Sequence, residues 1–250
     1  MGTSDDARGR GTQRGAKVSE SVAREILEDV VARGLPPGTK LPPEAQMLET
    51  FRVGRASLRE ALRILEVHGL IRVRPGPGGG PVLADVDAAD FGRTATFFFH
   101  ARRARVHDLL EARLVLEPLM ARLAAERVTA EVRDLLRANL ASAELFLDDP
   151  GPRWGQLAGE FHALVTGLSG NPVLDLLAGS LNAIHTDRVR PMFPVGGRDG
   201  VLRAHRRIAE SIMDGDADRA EQLTWSHVQD LVARLAILDP TIPDTLIDWS

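Results

Sequence analysis

The sequence predicts a mostly α-helical protein, with an N-terminal winged helix-turn-helix followed by a C-terminal all-helical antiparallel bundle. Residues 41–80 are ordered as helix, tight turn, arginine-bearing helix and glycine-tipped hairpin. From about Asp85 onward, no strand-like alternation occurs and apolar residues recur at helical spacing. A chain of 250 residues with 44% hydrophobic and 26% charged residues is long enough for two such domains.

The first unit begins with two helices. One is expected from about Val18 to Arg33, and the sequence Gly34-Leu-Pro-Pro-Gly38 ends it. A shorter helix is expected from about Pro43, because proline fits the first turn of a helix. Val53-Gly54 then turns the chain. The residues expected on the buried faces of these helices are Val22, Ile26, Leu27, Val30, Met47, Leu48 and Phe51.

The third helix, from about Arg55 to His68, is the predicted recognition helix. Arg55, Ser57 and Arg59 face outward near its N-terminal end. The leading turn of such a helix enters the major groove, where arginine binds a guanine edge or a phosphate and serine donates or accepts a hydrogen bond. The alternative is that these arginines only form a solvated face. The inward positions are Leu58, Ala61, Leu62 and Leu65.

A hairpin is expected next, with strands at Ile71–Arg74 and Val82–Leu83. Its loop, residues 75–80, is rich in glycine and allows close approach to a phosphate or the minor groove. Arg72 and Arg74 flank this loop and are further candidate DNA contacts.

The block over residues 18–84 resembles the DNA-binding domain of the GntR family of bacterial transcription regulators. The resemblance implies that Arg55, Ser57 and Arg59 lie at DNA-contact positions and that Gly76 lies at the tip of the wing. Gly54 and Ala45 depart from the family pattern, so an operator sequence does not transfer from relatives. The motifs that carry the resemblance are Pro36-Pro-Gly38, Leu41-Pro-Pro-Glu44, Val53-Gly-Arg55, Leu58-Arg-Glu-Ala-Leu62 and Gly69-Leu-Ile71.

Charge and composition narrow the functional classes. Residues 1–84 carry 13 Arg and Lys against 10 Asp and Glu, and residues 85–250 carry 18 against 25. This division suits binding of double-stranded DNA through one small domain. The chain has no cysteine, which excludes disulfides, thiolate metal ligands and a cysteine nucleophile. Without a membrane-length apolar run or a signal core, a cytoplasmic protein with no membrane partner is expected.

Five segments are predicted: a flexible tail over 1–17, the DNA-binding domain over 18–84, a linker helix region over 85–105, an all-helical domain over 106–238 and a tail over 239–250. Proline, glycine and threonine breaks separate the helices. Helices are expected near 88–103, 106–128, 131–147, 153–169, 172–191, 198–214 and 217–237.

Several of these helices place a polar residue on an otherwise apolar stripe. Arg113, His162, His205 and His227 are the inward residues. A single inward histidine is usually a hydrogen-bonded core residue. Three from separate helices suggest a divalent metal site, for which nitrogen ligands favour Zn or Ni, with a position left open for water or a carboxylate.

Residues 107–235 resemble the FCD ligand-binding domain of the FadR branch of this family. The resemblance implies that the three histidines ligate a metal and that Arg113 helps to hold a carboxylate effector. The alternative role of Arg113 is a structural ion pair with Glu117. The carrying residues are Glu111-Ala-Arg113, Glu117, Leu123-Ala-Ala125, Phe161-His162, Gly170-Asn-Pro172, His205, Gly215-Asp216 and His227.

One position departs from the metal-binding pattern. By this resemblance, metal-binding members usually have an aspartate four residues before the first histidine, and here that residue is Ala158. Glu160 lies on a nearly opposite side of the helix and cannot replace it. His185, roughly in line with Arg188, or the carboxylate of the effector remains as the further ligand. Alternatively, the pocket is free of metal and binds another organic ligand.

Three functions are weighed. The first is a ligand-responsive homodimeric regulator that binds a palindromic operator and a small organic acid, with Arg113, His185 and Arg188 as effector-binding residues. The second is a metalloenzyme fused to a DNA-binding head, which is disfavoured because no His-Glu-x-x-His pair occurs. The third is an architectural DNA-binding dimer, which would not use a polar pocket. The sequence identifies neither the effector nor the operator, nor whether the regulator represses or activates.

Overall fold

The computed structural model describes residues 5–76, 78–149, 151–188 and 197–248. The chain divides into two compact units, Met1–Val86 and Asp87–Ser250. The predicted mostly helical fold class is confirmed, with one small sheet in the described part of the chain. The elements are α1 (Asp5–Ala32), α2 (Glu44–Phe51), α3 (Arg55–Val67), β1 (Ile71–Arg74), β2 (Gly80–Leu83), α4 (Ala88–Ala101), α5 (Val106–Glu126), α6 (Ala130–Leu145), α7 (Arg153–Gly167), α8 (Pro172–Arg188), α9 (Arg198–Asp214), α10 (Ala217–Leu238) and a 3₁₀ turn at Ile242–Asp244.

The first unit has the winged helix-turn-helix arrangement. α1 packs against α3. Arg52 ends α2 in the left-handed conformation, with φ of 51°, and Gly54 precedes the first residue of α3. This tight turn fixes α3 relative to α2. Its core consists of Val22, Ala23, Ile26, Leu41, Met47, Leu58, Ala61, Leu65, Ile71 and Leu83.

The wing contains a third extended segment that the sequence did not predict. β1 pairs with β2 in antiparallel register, with Ile71 opposite Leu83. On the other side of β2, the Leu83 N–H donates to the Thr39 carbonyl over 2.8 Å, and the Leu41 N–H donates to Pro81 over 2.9 Å. The segment is too short and proline-rich to show strand periodicity, but it anchors the base of the wing.

The N-terminal helix is longer than expected. α1 begins at Asp5 instead of about Val18, so the structure makes residues 5–17 helical where a flexible tail was expected. No proline interrupts this stretch, so helical hydrogen bonding continues backward from the packed part of α1. Leu27, expected in the core, is 36% exposed, and Ala23 is buried instead.

The second unit is a helical bundle whose seven described helices begin and end close to the predicted positions. α5 packs against α7, α8, α9 and α10 and is therefore the central helix. α4 packs against α8. The buried residues Leu136, Phe161, Ile208 and Ile212 belong to its larger core cluster. No helix in the described ranges is long and apolar enough to cross a membrane.

Residues 239–250 were predicted as a tail, and residues 239–248 pack against the helical unit. Ile242 and Ile247 are buried. The Val106 N–H donates to the Thr245 carbonyl, and the Ile247 N–H donates to the Ala104 carbonyl, each over 2.9 Å. Two isoleucines in a short proline-containing segment give no periodic signal, although they are sufficient to dock it beside the start of α5.

Candidate DNA-binding surface and effector site

The predicted DNA contacts on α3 lie at its N-terminal end. Arg55 and Arg59 are exposed, and Ser57 is half-buried. The Arg59 side chain is 70% exposed, and its Nε lies 3.4 Å from an Oε1 of Glu44 on α2. Both arginines are therefore free to reach a groove, and Glu44 is an intramolecular competitor for one of them.

The wing presents the other predicted contacts. Arg72 and Arg74 are exposed on β1, and Gly76 is exposed with φ of 93°. At Gly79 a side chain would overlap the Arg74 carbonyl, so this turn requires glycine. Sequence reasoning missed the exposed Lys40, whose Nζ donates to the Gly78 carbonyl. A cation is thus held against the tip of the wing by the third extended segment.

In the second unit, the three predicted histidines come together. His162 on α7, His205 on α9 and His227 on α10 place one ligand nitrogen each within 4.8 Å of the others. The Nε2 atoms of His205 and His227 lie 3.1 Å apart, and those of His227 and His162 lie 3.4 Å apart. The convergence expected from the sequence is present in the structure.

Glu117 on α5 orients the ring of His162. One of its oxygens accepts a hydrogen bond from His162 Nδ1 over 2.8 Å, and the other accepts from Arg113 Nε. Because Nδ1 of His162 holds the proton, its Nε2 keeps a lone pair directed toward the other histidines. Arg113 and Glu117 are both buried. The ion pair weighed as a structural role for Arg113 is therefore formed.

Electrostatics disfavour protonation of two of the three histidines, His205 and His227. Burial, with the nearby charges of His227 and His162, lowers the pKa of His205 well below its ordinary value. Burial and the charge of His162 lower the pKa of His227 to about 3. Burial raises the pKa of Glu117, but the charges of Arg113 and His162 outweigh this effect and hold it well below its ordinary value. His205 and His227 are therefore neutral imidazoles, and the Glu117 carboxylate is ionised.

This donor set fits a divalent metal ion. Two nitrogens bound to one tetrahedral zinc ion lie about 3.3 Å apart, because each Zn–N distance is about 2.0 Å. Two of the three separations in the cluster, 3.1 and 3.4 Å, are close to that value. Without a metal, a contact between two such nitrogens is a hydrogen bond in which one neutral ring carries its proton on Nε2, whereas a bound ion would accept the Nε2 lone pair of every ring. His162, His205 and His227 are the residues that would hold the ion.

A cavity of about 150 Å³ extends from the cluster between α7, α8, α9 and α10. Trp154, Ala158 and His162 form its α7 wall at helical spacing, and the three histidines lie on its surface. Ala158 contributes no ligand atom there. Asn182 and His185 line the α8 side, and Arg198 and Arg234 are cationic residues on the wall that the sequence did not indicate.

The predicted effector residues are not all in this cavity. His185 lines it, but Arg113 does not, and the Nε of Arg113 donates instead to Glu117, which also accepts from His162. The side chain of Arg188 lies outside the described part of the structure. Glu160 is exposed and pairs with Arg153 over 3.2 Å, in agreement with its predicted position away from the histidines.

Comparisons with known proteins give matches in both units. Residues 18–79 match the model of bacterial regulatory proteins of the gntR family, and residues 108–230 match the FCD domain. The HTH-type transcriptional repressor NanR of Klebsiella aerogenes is 28% identical over 87% of this chain and 85% of its own length. YcbG of Bacillus subtilis, an uncharacterized HTH-type transcriptional regulator, is 25% identical over 84% and 88%.

A solved structure of a related regulator is also similar to this chain. Streptococcus agalactiae GntR is 28% identical, covers 85% of this chain and 98% of its own, and has a TM-score of 0.69. The matched relatives are transcription regulators and not enzymes, in agreement with the predicted class. With a gntR-type DNA-binding unit followed by an FCD domain, this chain belongs to the GntR family of bacterial transcription regulators.

Proposed function

We propose that this regulator binds a palindromic operator as a homodimer and that a small carboxylate effector in the helical unit controls its DNA affinity with the help of a divalent metal, Zn or Ni. The observation that carries the proposal is the convergence of three histidines at a cavity of about 150 Å³. A metal held by neutral nitrogens keeps its positive charge, which attracts an anionic ligand into the open position.

The proposal is tested by DNA binding of the full chain. Operators are selected from a random DNA library, and affinity is measured by fluorescence anisotropy with and without zinc and a panel of small organic acids. The recovered sequence is expected to contain two inverted half-sites, and the free protein to sediment as a dimer. A single half-site with no response to any acid would contradict the proposal.

Coupling between operator binding and binding of the acid effector must be reciprocal. An acid that weakens operator binding by some factor is expected to bind the operator complex more weakly by the same factor. Fluorescence anisotropy of the operator with and without the acid measures the first factor, and calorimetric titration of the acid into the free protein and into the complex measures the second. An acid that binds both forms equally is not the regulatory effector.

The structure also supports a second candidate, a metal-free pocket for another organic ligand, because Ala158 occupies the position from which an aspartate would face His162 along α7. The substitution Ala158→Asp restores a hard anion beside the cluster. We expect zinc affinity to rise by about tenfold or more. Added carboxylates are expected to change operator affinity less than in the wild type, because the new side chain competes with them for the metal.

The control for this variant is Ala163→Asp, which adds the same charge on the exposed side of α7. Zinc affinity is measured by competition with a chromogenic chelator. Equal zinc affinity of both variants and of the wild type would favour the metal-free pocket.

DNA binding is tested at α3. Arg59→Ala is expected to lower operator affinity by roughly tenfold or more, since an arginine in the leading turn of the recognition helix contacts a base or a phosphate. The response to acid is expected to remain. Arg137→Ala in the helical unit removes the same charge from an exposed ion pair and serves as the control. Unchanged operator affinity of Arg59→Ala would remove this residue from the contact set.

A further inference from the structure

The cavity wall carries buried polar atoms that the histidine cluster does not use. Asn182 on α8 is 4% exposed and lines the cavity. Its Nδ2 donates to the Gly159 carbonyl on α7 over 3.1 Å. This bond fixes the orientation of the amide, because a carbonyl accepts and does not donate. Its Oδ1 is fully buried and has no hydrogen-bond partner among the described residues.

An unmatched buried acceptor is costly to a folded protein. A leucine of similar size would remove the unmatched acceptor and would lose the hydrogen bond to the Gly159 carbonyl. The Nε1 of Trp154 is a second buried polar atom on the cavity wall with no partner among the described residues. The residues that carry this donor and this acceptor both line one cavity, which fits a polar ligand better than an apolar one.

Resting on the proposed carboxylate effector, we infer that Asn182 determines its specificity: Oδ1 accepts a hydrogen bond from a hydroxyl group that the acid carries in addition to its carboxylate. The donor is a hydroxyl rather than an ammonium group because two arginines, Arg198 and Arg234, line the cavity against one acidic residue, Asp230. The positive charge of an ammonium group on the ligand would be repelled by these arginines. A hydroxyl group is uncharged and still donates a hydrogen bond to Asn182 Oδ1.

The test uses the zinc-loaded full chain and four acids of similar size: butanoate and its 2-, 3- and 4-hydroxy derivatives. Affinities are measured by calorimetry up to the solubility limit of each acid. At least one hydroxy acid is expected to bind about tenfold or more tightly than butanoate, because it fills the acceptor that butanoate leaves unmatched.

Asn182→Leu is expected to abolish this preference. It is also expected to melt, without any acid, close to the wild-type temperature, since removal of the unmatched acceptor offsets the lost hydrogen bond to Gly159. Asn139→Leu is the matched control: Asn139 also has a buried Oδ1 without a described partner, but it does not line the cavity. This variant is expected to keep the hydroxyl preference.

The outcomes separate the inference from the proposed function. Equal wild-type affinity for butanoate and all three hydroxy acids would overturn the inference and leave a carboxylate effector standing. A hydroxyl preference that persists in Asn182→Leu would overturn the role of Asn182. Failure of all four acids to bind would contradict the proposed function, and the inference would fall with it.

Discussion

His205→Ala is expected to lower zinc affinity at least about 100-fold, because one of three converging ligands is removed from a site that has no carboxylate ligand. The wild type is expected to retain about one zinc or nickel ion per chain after purification without a tag. Metal content by mass spectrometry and zinc affinity by chelator competition are the measurements. His162→Ala and His227→Ala are expected to behave in the same way.

Two features of this site decide the controls. His205 is buried and its ring stacks on Phe161 with centroids 4.1 Å apart, so its loss also removes packing. His205→Gln, which fills more of that space, and thermal melting without metal separate a lost ligand from a damaged fold. His68→Ala removes an exposed histidine in the first unit and is expected to leave zinc binding unchanged.

His185 provides a further distinction, because it lines the same cavity. If His185 supplies the further ligand, His185→Ala is expected to lower zinc affinity; if the effector carboxylate does, this variant keeps zinc and changes only acid binding. Zinc affinities that are equal in the wild type and in all three histidine cluster variants would refute the metal site and leave the metal-free pocket.

The sequence predicted the helical unit well because its breaks are strong. Asp149-Pro-Gly-Pro152 and Gly170-Asn-Pro172 interrupt helical hydrogen bonding at positions that are readable without a structure. The start of α1 has no such signal, and its beginning at Asp5 was missed. The docking of Ile247 was also missed, because tertiary burial of a short irregular segment leaves no period in the sequence.

The site was predictable only in part, for a related reason. Each histidine lies on an apolar helix face, so its inward direction follows from spacing of 3.6 residues per turn. The role of Glu117 depends on how α5 packs against α7. This packing places the Glu117 carboxylate where it accepts hydrogen bonds from both Arg113 and His162. Asn182 is a lone amide in a helix, and only the cavity beside it distinguishes it from other amides.

The link between Arg113, Glu117 and His162 leads to the second large effect. Glu117→Ala is expected to destabilise the helical unit by about 3–5 kcal/mol, because it leaves the buried Arg113 guanidinium without its counter-ion. Arg113 is 1% exposed, and its Nη atoms have no hydrogen-bond partner in the described ranges. Denaturant unfolding of the metal-free protein measures this loss. Asp134→Ala, which breaks an exposed ion pair, is expected to cost less than about 1 kcal/mol.

Two more variants separate stability from metal binding. The double variant Arg113→Met/Glu117→Met removes both charges and is expected to be more stable than Glu117→Ala, since no buried charge is left uncompensated.

In Glu117→Gln the amide can still accept from Arg113 Nε and turn its NH₂ toward His162 Nδ1. His162 Nδ1 must then accept this hydrogen bond, so the ring proton moves to Nε2. Nε2 then no longer offers a lone pair to a metal ion. Glu117→Gln is therefore expected to lose about 10–100-fold in zinc affinity with a smaller loss of stability than Glu117→Ala. Wild-type zinc affinity in Glu117→Gln would show that the carboxylate does not set the orientation of His162.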